Sequence, residues 1–270
     1  MAASGDEAPG WNRRRLLVVV VAMVLVVVSG LVGLVYAVHG AVASSGTSSD
    51  DDGASADVDS LPSGQARRDA IATAPMLRVT PQDSRGGTPA ANPAPTIVVP
   101  AATRLGPAEV PTGFDRSPEG AVGQLAAIAT TILQSMSIQQ VRAVHEQWSA
   151  PGAPAVDDWA LMAAVRAFLG SDAGPHIDEP GTEIVTVPSA AQIKGSDGDG
   201  WVVACILLDV TVTVVTEARA AYGHCERLQW ADDRWVIAPG AAPASAPSTW
   251  PGTDLAAAAG WRTWTTSTEE

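Results

Sequence analysis

Three titratable side chains could converge on one part of a predicted sheet. His224 and Glu226 alternate onto one face of a strand, and Asp209 belongs to the strand before it. If the odd-numbered face of that longer strand lined a mouth between sheet and helices, Asp209 could act there as a general base. His224 lies on the even-numbered face of its own strand, so a structural role for these polar residues is the favoured interpretation.

The other chemical motifs do not indicate catalysis. Residues 197–200 (DGDG) resemble the start of a calcium loop, but Leu208 stands where a bidentate glutamate is needed, and a hairpin turn explains the motif better. His145 shares a helix side with apolar residues, and no second histidine follows at zinc-protease spacing. The chain has no phosphate loop, Cys-x-x-Cys pair or Gly-x-Ser-x-Gly elbow. We therefore predict a protein that is not an enzyme, with no catalytic residue, cofactor or metal.

Cys205 and Cys225 are the two cysteines of the chain. Outside the cytoplasm they could form one disulfide. A hairpin turning near residues 219–221 would instead place Cys225 opposite residue 215 or 216, with Cys205 beyond the roughly 7 Å that a bridge allows between Cα atoms. Two interpretations stay open: a disulfide, or two small buried hydrophobic residues.

An uncharged apolar stretch, residues 16–38, follows Arg13, Arg14 and Arg15. As a helix it would run about 34 Å, enough to cross a hydrocarbon core. Positive charge on its N-terminal side predicts a cytoplasmic tail (1–15), one membrane-spanning helix (16–38) and an exported remainder. A signal peptide cut after Ala43 is the main alternative, although signal-peptide apolar regions are shorter. A buried core helix fits less well, because parts of the stretch are apolar on every side.

The formal net charge is −13, and Lys194 is the single lysine. A strongly acidic exported part lacks the Lys and Arg residues that contact a phosphate backbone, so direct nucleic-acid binding is not expected. The remaining partner classes are the membrane, other proteins and further copies of the chain.

Residues 39–110 are rich in Pro, Ser, Gly and Asp and lack apolar periodicity, which predicts a flexible tether. Two apolar islands, residues 68–79 and 96–100, interrupt it. Each could dock on the folded domain, which we favour, or bind a partner chain. The first island contains Ile71, Met76 and Leu77 as candidate partner contacts.

The globular part is predicted at residues 111–239. Ser117 and Ser137 are caps for two helices, and Asp157 or Asp158 would cap a third that ends at Gly170. Alternation with period two then predicts strands over residues 183–193, 201–216, 222–230 and 234–238. In the long second strand the even positions are apolar, and the odd positions, which include Asp209, Thr211 and Thr213, suit water or a pocket. Helices followed by an antiparallel sheet indicate an α+β domain.

Residues 240–270 form a Pro/Ala-rich tail with Trp250, Trp261 and Trp264. Indole rings on a free tail would be costly to leave in water. We expect them to pack back onto the sheet, with a protein interface as the second interpretation and these three residues as its candidate contacts.

Four stretches carry a resemblance to a known family: 110–122 (VPTGFDRSPEGAV), 201–209 (WVVACILLD), 221–230 (AYGHCERLQW) and 248–264 (STWPGTDLAAAAGWRTW). Together, over residues 68–264, they resemble an uncharacterised single-pass membrane protein family of actinobacterial integrative and conjugative elements. The order of anchor, tether, helices and sheet is also similar to bitopic components of type IV secretion machines. That likeness, over residues 111–238, implies an exported cone of the nuclear-transport-factor-2-like or cystatin-like kind, with three helices packed on a curved antiparallel sheet.

These observations predict a non-enzymatic, membrane-anchored scaffold of a conjugative-transfer or type IV secretion-like envelope complex. Its partners would be the membrane, other envelope-complex proteins and further copies of itself. Two alternatives remain: an exported ligand-binding or enzymatic cone domain, and an accessory protein of a lipid-import complex, because mammalian-cell-entry-associated proteins share the same layout.

Overall fold

The computed structural model describes Val58 and residues 61–214 and 216–267. The predicted cytoplasmic tail and membrane-spanning helix, residues 1–38, lie outside that range. No helix within the described residues is long and apolar enough to cross a bilayer. The helices of the described part are α1 (Gln65–Thr73), α2 (Pro118–Ser135), α3 (Ile138–Trp148), α4 (Ala160–Leu169) and α5 (Asp254–Ala258).

The strands form one large curved sheet and one short ribbon, which confirms the predicted α+β class with an antiparallel-rich sheet. They are β1 (Thr96–Val99), β2 (Arg104–Leu105), β3 (Pro111–Thr112), β4 (Glu183–Ser196), β5 (Trp201–Thr213), β6 (Glu217–Ala231), β7 (Arg234–Ile237) and β8 (Arg262–Thr266). The large sheet has the order β1-β8-β4-β5-β6-β7, with a parallel β1–β8 pair and antiparallel pairs elsewhere. Strands β2 and β3 make the separate ribbon.

Local capping chemistry sets where the helices begin. The Ser117 hydroxyl accepts a hydrogen bond from the Gly120 amide at 2.9 Å, which confirms the predicted start of α2. Ser137 likewise caps α3 through Gln140. The cap predicted for α4 is wrong, because Asp157 and Asp158 lie in a 3₁₀ turn and the helix begins after Trp159.

Both faces of the sheet are covered. The even-numbered residues 202–208 of β5 pack against α2, α3 and α4, on what we call the helical face. The odd-numbered residues 201–207 are also buried, on the opposite face, in a second core with α1, α5 and Trp261. A water-facing odd face is therefore wrong for residues 201–207, and the odd positions are partly exposed only beyond residue 208.

The β5–β6 hairpin differs from the predicted one. Strand β5 ends at Thr213 and β6 begins at Glu217, so the turn lies five residues earlier than residues 219–221. The error has a physical cause: residues 217–221 contain three alanines and no β-branched residue, so composition alone does not reveal a strand. Pairing with the strongly β-prone β5 overrides this weak local preference.

The ordered domain is larger than the predicted 111–239. Within the predicted tether, residues 61–110 hold α1, β1 and β2, so this part is folded and only residues 39–60 stay as predicted tether. Within the predicted tail, β8 lies between β1 and β4 in the sheet. The Arg262 guanidinium donates to the Thr96 carbonyl at 2.7 Å, which joins the two terminal segments directly. Contacts between segments so far apart in sequence leave no local pattern.

Candidate functional site

Cys205 and Cys225 lie directly opposite each other on β5 and β6 and form a disulfide. Of the two open interpretations, the structure therefore shows the bridge. The shifted hairpin turn is the reason, because it brings the cysteines into register. Both residues belong to the second core, where Met76 covers the bridge with its sulfur 3.6 Å from the Cys225 sulfur. The bond thus lies beneath the segment that follows α1.

Helix α1 is held on the sheet by an ion pair at its N-terminal end. The Arg68 guanidinium donates to the Asp197 carboxylate at 2.6 Å, and the Gly64 amide donates to the same oxygen at 3.1 Å. Burial by itself would raise the pKa of Asp197, but hydrogen bonds from Arg68, Ser63 and Gly64 hold it below its ordinary value. The loop at residues 197–200, predicted as a hairpin turn, therefore also binds the N-terminal end of α1.

A second ion pair lies further along α1. Arg227 of β6 is only 1% exposed, and its guanidinium contacts the Asp69 carboxylate at 2.7 Å. Hydrogen bonds from Arg227 and Gln65 lower the pKa of Asp69. Both arginines form cation–π contacts with the Trp201 ring. The Cζ atoms of Arg68 and Arg227 lie 5.6 Å and 5.9 Å from its centroid. Through Arg68, this indole ring links α1 to the first residue of β5.

The C-terminal end of α1 is bound by Lys194. Its ammonium donates to the Ala72 carbonyl at 2.8 Å and to the Ala74 carbonyl. A cation at this position suits the negative end of the helix dipole. Burial lowers the pKa of Lys194 from 10.5 to about 8. Since the folded chain then holds this proton less tightly, the contribution of Lys194 to stability rises between those two pH values.

The candidate contacts of the first island divide into covered and exposed residues. Ile71 is 4% exposed and packs over Gly195, so it docks within its own chain. Met76 is half-buried against the disulfide, whereas Leu77 is 42% exposed. Of the three, only Leu77 presents a large apolar surface to solvent.

The three tryptophans of the C-terminal tail also differ in burial. Trp261 is 2% exposed, and its indole N–H donates to the Pro247 carbonyl at 3.0 Å. Trp250 is half-buried, with the Arg219 guanidinium 5.3 Å from its ring centroid. Trp264 is half-buried on β8. The tail packs back onto the sheet, so Trp261 is part of the core.

An open groove of about 730 Å³ lies between α2 and the β1–β8 end of the sheet. We call it the α2 groove; its walls include Phe114, Ala126, Gln134, Pro188 and Trp264. Its lining is mostly apolar. Trp264 forms part of its wall without filling it.

His224 and Glu226 do share the predicted strand face. His224 Nε2 lies 3.3 Å from the nearer Glu226 oxygen, and the Trp159 indole N–H donates to that oxygen at 2.8 Å. Tyr222 stacks on His224 with ring centroids 6.1 Å apart. Burial raises the pKa of Tyr222 to about 12, and the negative charge of Glu226 acts in the same direction.

These side chains border a cavity of about 370 Å³ between the start of α4, β6 and residues 242–248, which we call the β6 cavity. Asp209 does not join them. It lies on the opposite face of the sheet, where it forms an ion pair with Arg219. The three side chains therefore do not converge, because Asp209 lies on the odd face of β5, whereas His224 and Glu226 lie on the face that α2, α3 and α4 cover.

His145 has a structural position on α3. Its Nε2 donates to the Pro154 carbonyl at 2.9 Å, and its ring meets the Trp159 ring edge-on at 5.2 Å. This agrees with the interpretation of a partly buried histidine with a satisfied ring. Across the described ranges, no group of three or more His, Cys, Asp or Glu residues is placed to hold a metal ion.

Sequence reasoning missed the ion pairs of α1 and the Trp159–Glu226 hydrogen bond. A partial signal existed for α1, because Arg68 and Asp69 lie within three residues of the apolar Ile71 in an otherwise weakly patterned segment. Their partners are more than a hundred positions away, at Asp197 and Arg227, and no spacing rule identifies them. Comparison of the chain with protein-family models, with curated proteins and with solved structures finds no match.

Proposed function

We propose that the chain is a non-enzymatic, membrane-anchored assembly component of a conjugative-transfer or type IV secretion-like envelope complex, with an exported cone of the nuclear-transport-factor-2-like kind. The observation that carries this proposal is the Cys205–Cys225 disulfide. Disulfides form and persist in oxidising compartments and are rare in the cytosol. Together with the apolar stretch at residues 16–38, the bridge supports a domain held outside the membrane.

In this proposal, the docking of α1 on the sheet shortens the flexible linker between the membrane and the folded domain. Residues 39–60 would span roughly 23–28 Å as a random coil. A fully flexible tether up to residue 110 would span on the order of 45 Å. The shorter linker would keep the domain close to the bilayer and raise its effective concentration for membrane-bound partners. The α2 groove, apolar and open, offers those partners a surface.

The proposed topology predicts the labelling of two engineered cysteines in intact cells. Ser171→Cys introduces a thiol on an exposed turn after α4, and Ser4→Cys introduces one in the predicted cytoplasmic tail. A membrane-impermeant maleimide is expected to label position 171 and to leave position 4 unlabelled until the cells are lysed. The native cysteines are bonded and add no background. Labelling of position 4 alone in intact cells would show the opposite topology and would contradict the proposal.

The proposed partner surface is tested by photo-crosslinking in cells that assemble the complex. A photoreactive residue replaces Gln134, which is exposed and lines the α2 groove, or Ala163, which is exposed on α4. We expect adducts with a channel subunit or a second copy of the chain from position 134 and none from position 163. Equal yields from both positions, or adducts with none of these partners, would contradict the proposal.

A ligand-binding domain is the second candidate function. The specific observation that favours it is the β6 cavity, a concave space lined by the buried residues His224, Glu226 and Trp159. Small-molecule sites combine such a concave space with a few convergent polar groups.

A further inference from the structure

The β6 cavity contains charged and aromatic groups that an assembly role does not use. Two carboxylates, Asp158 and Glu226, line it, and no Lys or Arg is found among its described lining residues. Three aromatic residues, Trp159, Tyr222 and His224, line the same space. The N-terminus of α4 adds partial positive charge nearby, and Asp158, just before that helix, offsets it. The cavity is therefore acidic and aromatic.

The polar groups of the cavity are incompletely satisfied. His224 is 4% exposed, and its Nε2 makes no hydrogen bond within the described residues, although it lies 3.3 Å from Glu226. Glu226 is equally buried and accepts one hydrogen bond from Trp159. Burying a carboxylate is costly unless opposite charge and further hydrogen bonds compensate. A group that supplies positive charge or a hydrogen-bond partner here would be favoured.

We propose that the β6 cavity binds a small organic cation, such as a primary or quaternary ammonium compound. Glu226 is the counter-ion, and the Trp159 and Tyr222 rings form walls that attract a cation through their π electrons. The volume of about 370 Å³ lies near the lower end of the usual range for small-molecule sites.

Choline and its neutral isostere 3,3-dimethyl-1-butanol separate charge recognition from shape. With the full chain in nonionic detergent, isothermal titration is expected to give saturable choline binding in the millimolar range and about tenfold weaker binding of the isostere. Equal affinity for the two compounds would overturn the proposal. So would the absence of saturable binding of choline, tetramethylammonium and methylammonium below ~100 mM.

Three variants locate the site. Glu226→Gln keeps the acceptor for Trp159 but removes the charge, and should weaken choline binding about tenfold without changing isostere binding. Asp209→Asn, on the opposite face of the sheet, is the matched control and should bind like the wild type. Ser245→Phe, on an exposed lining position, should fill the cavity and abolish binding of both compounds. Unchanged choline binding by a folded Glu226→Gln or by Ser245→Phe would refute this location.

Discussion

Replacing both cysteines by alanine is expected to lower the free energy of unfolding by about 2–4 kcal/mol. The bridge closes a loop between positions 20 residues apart in sequence, which restricts the unfolded chain. In the folded state both cysteines pack in the second core, so their removal also leaves unfilled space. Urea unfolding monitored by circular dichroism measures the difference between the wild type and the Cys205→Ala/Cys225→Ala variant.

The control for this prediction is the effect of a reductant. Dithiothreitol present during unfolding should destabilise the wild type by a similar amount and leave the double variant unchanged. A wild type that loses less than about 1 kcal/mol on full reduction would show that the bridge contributes little to stability. It would also weaken the proposal of an exported domain, which rests on the bridge.

Trp261→Ala is expected to lower the free energy of unfolding by about 3–5 kcal/mol. The side chain is 2% exposed in the second core, and its N–H satisfies the Pro247 carbonyl. Removing it leaves a large cavity and an unpaired carbonyl at the point where the tail returns to the sheet. Chemical denaturation measures the loss, and hydrogen exchange in β8 should rise with it, since β8 begins at the next residue.

Trp264→Ala is the matched control. Trp264 lies three positions further along and is half-buried, with its indole N–H bonded to the hydroxyl of Thr266. Its removal should cost less than half as much as the removal of Trp261, because less apolar surface is uncovered. Equal losses from the two variants would contradict the assignment of Trp261, and not Trp264, to the core.

The two predictions concern the same structural layer. The disulfide and Trp261 both lie on the face of the sheet that α1 and the C-terminal segment cover. The ion pairs of Arg68 and Arg227 hold α1 over that layer. In the proposed topology α1 is also the first described helix after the membrane, so its docking would couple the position of the domain to its anchor. A partner that displaced α1 would uncover the second core.

Local signals in the sequence determined several elements correctly. Hydroxyl caps at Ser117 and Ser137 predicted the starts of α2 and α3, because a cap acts within three residues of its own position. The alternating pattern of residues 201–213 predicted β5 and its helical face, because successive side chains of a strand point to opposite faces of the sheet. The α+β class followed from the order of these elements.

Tertiary structure decided the features that depend on distant segments. The odd face of β5 is buried because α1 and Trp261 cover it, and neither segment carries a periodic pattern strong enough to predict this. The cysteines pair because cross-strand register moved the hairpin turn, and the polar groups of the β6 cavity meet because α4 places Trp159 beside Glu226. Patterns in a chain report propensity over a few residues, whereas burial and charge pairing depend on which segments come together in space.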